Sequence, residues 1–110
     1  MLPIDDADAA LYTIGQVAKM LDARVTFLRR LDEQGVVVPA RSAGGQRRYS
    51  RREISLVAEA MKLIDEGLTL AGVRRVLALK AHIRGLEAEL AARDAVVERG
   101  RLPADQQRPG

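Results

Sequence analysis

The 110-residue sequence contains no cysteine and no tryptophan, and its one histidine is His82. The lack of cysteine excludes disulfides, thiolate metal sites and thiol-based redox sensing. A lone histidine without partners is typical of a surface residue, so we expect neither a metal site nor a cofactor. Aromatic residues make up only 3% of the chain, which predicts a core built mainly from aliphatic side chains.

Long apolar runs are also missing from the chain. No stretch approaches the roughly 18 residues of a membrane helix, and the acidic N-terminus is unlike the basic start of a signal peptide. We therefore expect no membrane association and a cytoplasmic protein. The length allows one small domain with extensions.

Positive charge is concentrated in one part of the chain. The formal net charge is +3, but residues 24–52 alone carry +6, since they contain eight arginines and only two acids, Asp32 and Glu33. Arginine clusters suit a polyanion partner because guanidinium groups hydrogen-bond phosphate and guanine edges. A solvated charged face is the alternative interpretation of any charge run.

Two short helices are predicted at the start of the domain. Thr13 and Gln16 have the spacing of a capping box, and the apolar residues that follow indicate a helix of about two turns. A second helix is predicted from about Val25 to Gln34, ending at Gly35 as a left-handed cap. Two helices joined by a tight turn make a helix-turn-helix candidate.

The next segment has the features of a β-hairpin. Residues 36–38 are three valines before a proline and indicate an extended segment, while residues 41–49 carry Gly44 and Gly45 where a tight turn would lie. We expect the hairpin to hold arginines away from the body of the domain. We expect Tyr49 to pack the strand onto the helices.

The second half of the chain is predicted to be helical. Ser50 and Glu53 form another capping box at the start of a helix that runs to Gly67, and Thr69 caps a further helix. We expect the core-facing stripe of the first of these two helices to be Ile54, Val57, Ala58, Met61 and Ile64. Along the further helix, apolar residues recur at spacings of three and four, interrupted at Arg93, as in a short coiled-coil seam. The predicted dimerisation residues are Leu79, Ile83, Leu86, Leu90 and Val97, although folding back onto the domain is an alternative.

In this order and spacing the elements resemble those of the MerR family of bacterial transcription regulators. The resemblance covers about residues 12–98 and rests on "YTIGQVAKML", "FLRRLDEQGVV", "RSAGGQRRYS" and "EGLTLAGVRRVLAL". The last segment is most similar to the small heat-shock repressor (HspR-like) branch. The implied fold is mainly α: a winged helix-turn-helix with a small β-hairpin wing, followed by a C-terminal dimerisation coiled-coil helix.

The resemblance implies a domain organisation and a set of contacts with double-stranded DNA. The expected parts are a disordered acidic extension (1–11), the DNA-binding domain (12–78), the coiled-coil helix (79–99) and a disordered tail (100–110). Arg30, Leu31 and Asp32 depart from the family's usual Tyr-Tyr-Glu. The implied DNA-binding residues are Thr13, Arg24, Thr26, Phe27, Arg29, Arg30, Arg41, Arg47, Arg48 and Tyr49.

The predicted function is a sequence-specific regulator that binds an inverted-repeat operator as a homodimer in the cytoplasm, at the nucleoid. Further partners compatible with it are RNA polymerase or a chaperone co-regulator. No convergent catalytic group is present, which argues against an enzyme. Two alternatives stay open: a coiled-coil protein-interaction adaptor, and an accessory DNA-binding protein that forms head-to-tail arrays. Activation and repression are equally compatible with the sequence.

Overall fold

The computed structural model describes residues 6–101, which contain four helices and three short strands. In chain order these are β1 (Tyr12–Thr13), α1 (Ile14–Leu21), α2 (Val25–Glu33), β2 (Ala40–Arg41), β3 (Arg47–Tyr49), α3 (Arg51–Asp65) and α4 (Leu70–Gly100). The chain divides into two compact units between Leu77 and Ala78. The mainly helical fold with a small β-hairpin is as predicted.

Local capping explains where α1 and α3 begin. Gln16 N–H donates to the Thr13 hydroxyl at 3.1 Å, and Thr13 N–H donates to the Gln16 side chain at 2.8 Å. Ser50 and Glu53 form the same reciprocal pair at the start of α3. Both predicted capping boxes are confirmed, and each satisfies amides that a helix start leaves without an intrahelical partner.

The helix ends depend on left-handed backbone positions. Asp22 ends α1 with φ of 52°, and Gly35, just after α2, has φ of 70°. The Val36 N–H then donates to the Leu31 carbonyl at 2.7 Å, which closes the end of α2. Because this bond wraps the chain back onto the helix, residues 36–38 form no strand, and β2 begins only at Ala40.

The strands form one antiparallel sheet in the order β1-β3-β2. Tyr12 pairs with Tyr49 and Thr13 with Arg48 across the first ladder, while Ala40 pairs with Arg48 across the second. The hairpin of β2 and β3 was predicted, but β1 was not. A two-residue strand has no periodicity that a sequence pattern could reveal.

The core of the first unit lies where α1, α2, α3 and the start of α4 meet the sheet. Its buried residues are Val17, Leu28, Leu31, Val37, Tyr49, Ile54, Val57, Ala60, Val73 and Leu77. It is aliphatic apart from Tyr49, which is the largest of the fully buried side chains in the described part of the chain. On α3 the buried small residue is Ala60, whereas Ala58, predicted for the core stripe, is exposed.

Part of the predicted N-terminal extension is bonded to the domain. The Arg52 backbone N–H donates to the Ala7 carbonyl at 3.0 Å, and the Arg52 guanidinium pairs with Asp8 at 2.6 Å. Within the extension predicted over residues 1–11, Ala7 and Asp8 therefore contact the start of α3. The rest of that extension, and the predicted tail from residue 102 onward, lie outside the described residues.

Candidate nucleic-acid interface

Helix α2 presents a polar face because its apolar residues are all on the other side. Leu28 and Leu31 are buried and Phe27 is half-buried against the core. At 100° per residue the opposite face carries Thr26, Arg29, Arg30 and Glu33, and all four are exposed. The helix thus offers two arginines to solvent along its length.

The wing, defined as residues 40–49, is a tight hairpin beside α2. Its turn is closed by Ser42 N–H donating to the Gln46 carbonyl at 2.7 Å and Gly45 N–H donating to the Ser42 carbonyl at 2.9 Å. Gly45 has φ of 81°, a conformation that side chains with a Cβ rarely adopt. Glycine at this position therefore allows the turn that brings the arginines of both strands together.

A cleft of about 350 Å³ lies between the start of α1, helix α2 and the wing. We call it the arginine cleft. Its lining residues are Thr13, Ile14, Arg29, Arg41, Gly45, Gln46, Arg47 and Arg48. Four arginines from three different elements line it. Its chemistry therefore favours an anion, and phosphate suits it because guanidinium groups bind phosphate oxygens in a bidentate way.

One carboxylate ties the wing to α2. Asp32 Oδ2 accepts from Arg47 Nε at 2.6 Å and from Arg41 Nη2 at 3.2 Å. The Asp32 and Arg47 side chains are only 11% and 16% exposed, whereas that of Arg41 is 51% exposed. The Arg47 guanidinium is therefore already engaged, while Arg41 keeps much of its surface in solvent.

Arg48 is placed differently from Arg47. Its guanidinium makes only long contacts, at 3.5 Å with the Gln46 side chain and 3.4 Å with the Arg47 carbonyl. No carboxylate lies within ion-pair distance of Arg48 or Arg29 among the described residues. Of the four arginines that line the cleft, these two can bind an anion without first giving up an ion pair with an acid.

The side chain of Tyr49, which the resemblance places in the DNA-binding set, does not reach the surface of the free protein. Tyr49 is fully buried, and its hydroxyl has no hydrogen-bond partner within the described part of the chain. Burial raises the pKa of the Tyr49 phenol above its ordinary value of 10.0, because a low-dielectric surrounding disfavours the phenolate. The predicted packing of this strand onto the helices is confirmed, since Tyr49 lies in the core.

The remaining predicted DNA-binding residues lie at helix starts. Thr13 caps α1 and lines the arginine cleft, while Arg24 is the exposed N-cap residue of α2 and makes no side-chain capping bond. Phe27 and Arg24 line a second, more apolar groove of about 290 Å³ with residues of α3. Phe27 therefore contributes to packing and does not stand out from the helix.

Asp32 is a residue of this site that the sequence interpretation left without a role. The sequence nevertheless contained an indication of its pairing, because an acid among the eight arginines of residues 24–52 can form ion pairs with some of them. The carboxylate accepts from residues nine and fifteen positions away in the chain. The pattern alone could not choose between Asp32 and its neighbour Glu33.

The second unit carries the predicted coiled-coil stripe on α4. In this unit the side chains of the stripe are half or more exposed: Leu79 60%, Ile83 53%, Leu86 51%, Leu90 60% and Val97 50%. At 100° per residue these side chains fall within a narrow arc of the helix surface. No helix in residues 6–101 is long and apolar enough to cross a membrane.

A helix-turn-helix followed by an arginine-bearing β-hairpin and a long helix is the arrangement of a winged helix-turn-helix protein. The sequence matches the MerR HTH family of regulatory proteins over residues 12–80, and the chain belongs to this family of transcriptional regulators, which are not enzymes.

Three known proteins illustrate the relationship. The chain is 36% identical over 102 residues to the putative heat shock protein HspR of Streptomyces coelicolor, covering 92% of this chain and 67% of that protein. It is 32% identical over 78 residues to the transcriptional regulator GlnR of Bacillus anthracis, covering 71% of this chain but only 60% of GlnR. The structure of HiNmlR, a MerR family regulator bound to promoter DNA, shares the fold with a TM-score of 0.55 at 16% identity, over 79% of this chain and 78% of that one.

Proposed function

We propose that this regulator binds double-stranded DNA through the exposed face of α2 and the arginine cleft. The observation that carries the proposal is the meeting of four arginines from α2, β2 and β3 in one cleft beside a helix with an exposed polar face. The crystal structure of HiNmlR, a regulator of the same fold bound to promoter DNA, supports it.

The two surfaces have different roles in DNA recognition. The arginine cleft offers cations to the phosphate backbone, which fixes the orientation of the protein without reading sequence. The start of α2, with exposed Arg24 and Thr26, would enter the major groove, where side chains hydrogen-bond base edges. Arg29 lies between these surfaces, since it is on the exposed face of α2 and also lines the cleft.

We further propose a homodimer joined by the α4 stripe. Five apolar side chains that are half or more exposed on one helix face need a partner surface, because apolar residues at this spacing are normally buried against a second helix. A two-fold dimer would place its recognition helices about 34 Å or a multiple of it apart, so the operator would be an inverted repeat. Such a protein would act in the cytoplasm at the nucleoid, with RNA polymerase or a chaperone co-regulator as further partners.

The proposal is tested by Arg24→Ala and Arg29→Ala, measured by fluorescence anisotropy on a duplex obtained by in vitro selection and on a random duplex. Replacing the residue that reads bases should weaken binding to the selected duplex by about 1 to 3 kcal/mol and binding to the random duplex by much less. Arg84→Ala, which removes the same charge from the second unit, is the matched control and should change neither. Wild-type binding that is weak and insensitive to salt on both duplexes would contradict the proposal and favour the adaptor alternative.

A further inference from the structure

Asp32 is in an unusual position for an acid at a surface that would meet DNA. It lies on α2, one turn after Arg29, and it accepts hydrogen bonds from both strands of the wing. Arg41 donates in addition to the Gly45 carbonyl at 3.2 Å. A single carboxylate therefore connects helix α2, both wing strands and, through Arg41, the wing turn.

The alternation of β3 explains why Arg47 reaches Asp32 and Arg48 does not. Successive side chains of a strand point to opposite faces of the sheet, so Arg47 shares a face with Tyr49. Tyr49 is buried in the core that α2 helps to form, and Arg47 is directed to the same side, where it meets Asp32 at 2.6 Å. Arg48 belongs to the other face, opposite Thr13 and Ala40 in the two ladders.

We propose that Asp32 is a positioning residue that fixes the wing to the recognition helix through Arg47 and withholds Arg47 from the phosphate backbone. Arg48 is then the wing's main phosphate ligand on β3, and Arg47 is a structural link. The inference rests on the proposed function, because it assigns roles within the same DNA-binding surface.

The position of Asp32 also has an electrostatic consequence. A largely buried carboxylate neutralises part of the arginine cleft, so the free protein offers the DNA fewer unpaired cations than the sequence carries. Removing this carboxylate would release two guanidinium groups toward the backbone. Contacts that do not depend on sequence would increase, and the preference for a specific site would fall.

The first test needs no DNA. In Asp32→Asn, amide hydrogen exchange measured by NMR at Ser42, Gly45 and Gln46, which close the wing turn, should accelerate by on the order of tenfold relative to wild type. Glu33→Gln is the matched control, since it removes the same charge from the next residue of α2, which is exposed. Equal exchange in the two variants would overturn the inference.

A double-mutant cycle checks that the link runs through Arg47. Arg47→Met keeps most of the stem and removes the charge, and it should accelerate the same amides as Asp32→Asn does. The double variant should exchange no faster than Asp32→Asn alone, because that change already removes the interaction of Asp32 with Arg47. Additive effects would mean that the two residues act independently and would overturn the link, while the circular dichroism of each variant reports whether the helices stay folded.

The second test separates the roles of the two neighbouring arginines on DNA. Arg48→Met should flatten the dependence of log K on log salt by about one unit on a random duplex, whereas Arg47→Met should leave it unchanged. Asp32→Asn should bind the random duplex more tightly and steepen the dependence by about one unit relative to Glu33→Gln. A slope that Arg47→Met flattens as much as Arg48→Met does would make Arg47 a phosphate ligand and overturn the inference.

The two failures are distinguishable. If the wild-type protein shows no salt-dependent binding to duplex DNA, the proposed function fails, while the hydrogen-exchange cycle still tests the link between Asp32 and Arg47. If the wild type binds duplex DNA and Asp32→Asn matches Glu33→Gln in both wing exchange and salt dependence, the function stands and the role of Asp32 is refuted.

Discussion

Individual polar atoms in this protein have very different surroundings despite lying close together in the chain. The Arg47 guanidinium is held by a carboxylate, the Arg48 guanidinium makes only long contacts, and the Tyr49 hydroxyl is buried without a partner among the described residues. A buried polar group without a hydrogen bond costs about 1 to 3 kcal/mol. The three consecutive residues of β3 thus differ in their surroundings: Arg47 is ion-paired, Arg48 is a cation without an ion pair in residues 6–101, and Tyr49 is part of the core.

Replacing Tyr49 by phenylalanine should stabilise the domain by about 1 kcal/mol, because it removes the buried hydroxyl and keeps the ring. For a domain of this size the melting temperature should rise by roughly 4 to 8 °C. DNA affinity should not change, since the side chain is fully buried. Differential scanning calorimetry and anisotropy measure the two effects. Tyr12→Phe is the matched control, because Tyr12 pairs with Tyr49 in the sheet but is half-buried.

The same variant should change the response to alkaline pH. Burial raises the pKa of Tyr49 above 10.0 in the folded state, so the stability that its protonated form contributes is fully present below pH 10.0 and is lost as the pH rises above it. The stability gain of Tyr49→Phe over wild type should therefore grow above pH 10.0 and be independent of pH below it. A gain that stays constant through the alkaline range would contradict this assignment.

At the scale of elements, local signals decide where helices begin and end. Reciprocal capping boxes start α1 and α3, and the Thr69 hydroxyl accepts from Gly72 N–H at 3.1 Å at the start of α4. Gly67 has φ of 101° in the turn between α3 and α4. Glycine there is required by the backbone, whereas Gly85 lies inside α4 with open space around the position of a Cβ.

These two glycines give opposite predictions for one chemical change. Gly85→Ala should stabilise α4 by up to about 1 kcal/mol, because alanine is the better helix former and meets no neighbour. Gly67→Ala should destabilise the protein by about 1 to 2 kcal/mol, because the turn requires a left-handed backbone. Urea unfolding followed by circular dichroism at 222 nm measures both. The same sign for both variants would contradict these assignments.

At the scale of the whole molecule, the chain combines a domain with a buried core and a helical unit whose apolar stripe is exposed in the single chain. The core of the first unit is closed by its own helices and sheet. The stripe on α4 has no such cover within residues 78–101, where every residue is exposed. This asymmetry is the physical basis for the proposed homodimer.

Replacing Ile83 and Leu86 together by aspartate should convert the dimer to a monomer while the first unit stays folded. Charges on the stripe would face each other across the interface, and tight operator binding should be lost because two half-sites are no longer engaged together. Light scattering measures the mass and anisotropy the affinity. The matched control replaces Ala81 and Ala88, exposed on the opposite face of α4, by aspartate and should remain a dimer. A wild-type protein that is monomeric at micromolar concentration yet binds its site tightly would favour head-to-tail arrays.

The sequence by itself determined the helices, their caps, the wing turn and the α4 stripe, because each depends on residues a few positions apart. Only the tertiary structure decided the pairing of β1 with β3, the burial of Tyr49 and the choice of Asp32 as the partner of Arg41 and Arg47. These features join residues that are far apart in the chain, so no local period or propensity encodes them. The sequence could predict that arginines gather on one surface, but which of them are paired with an acid depends on where the fold places the Asp32 carboxylate.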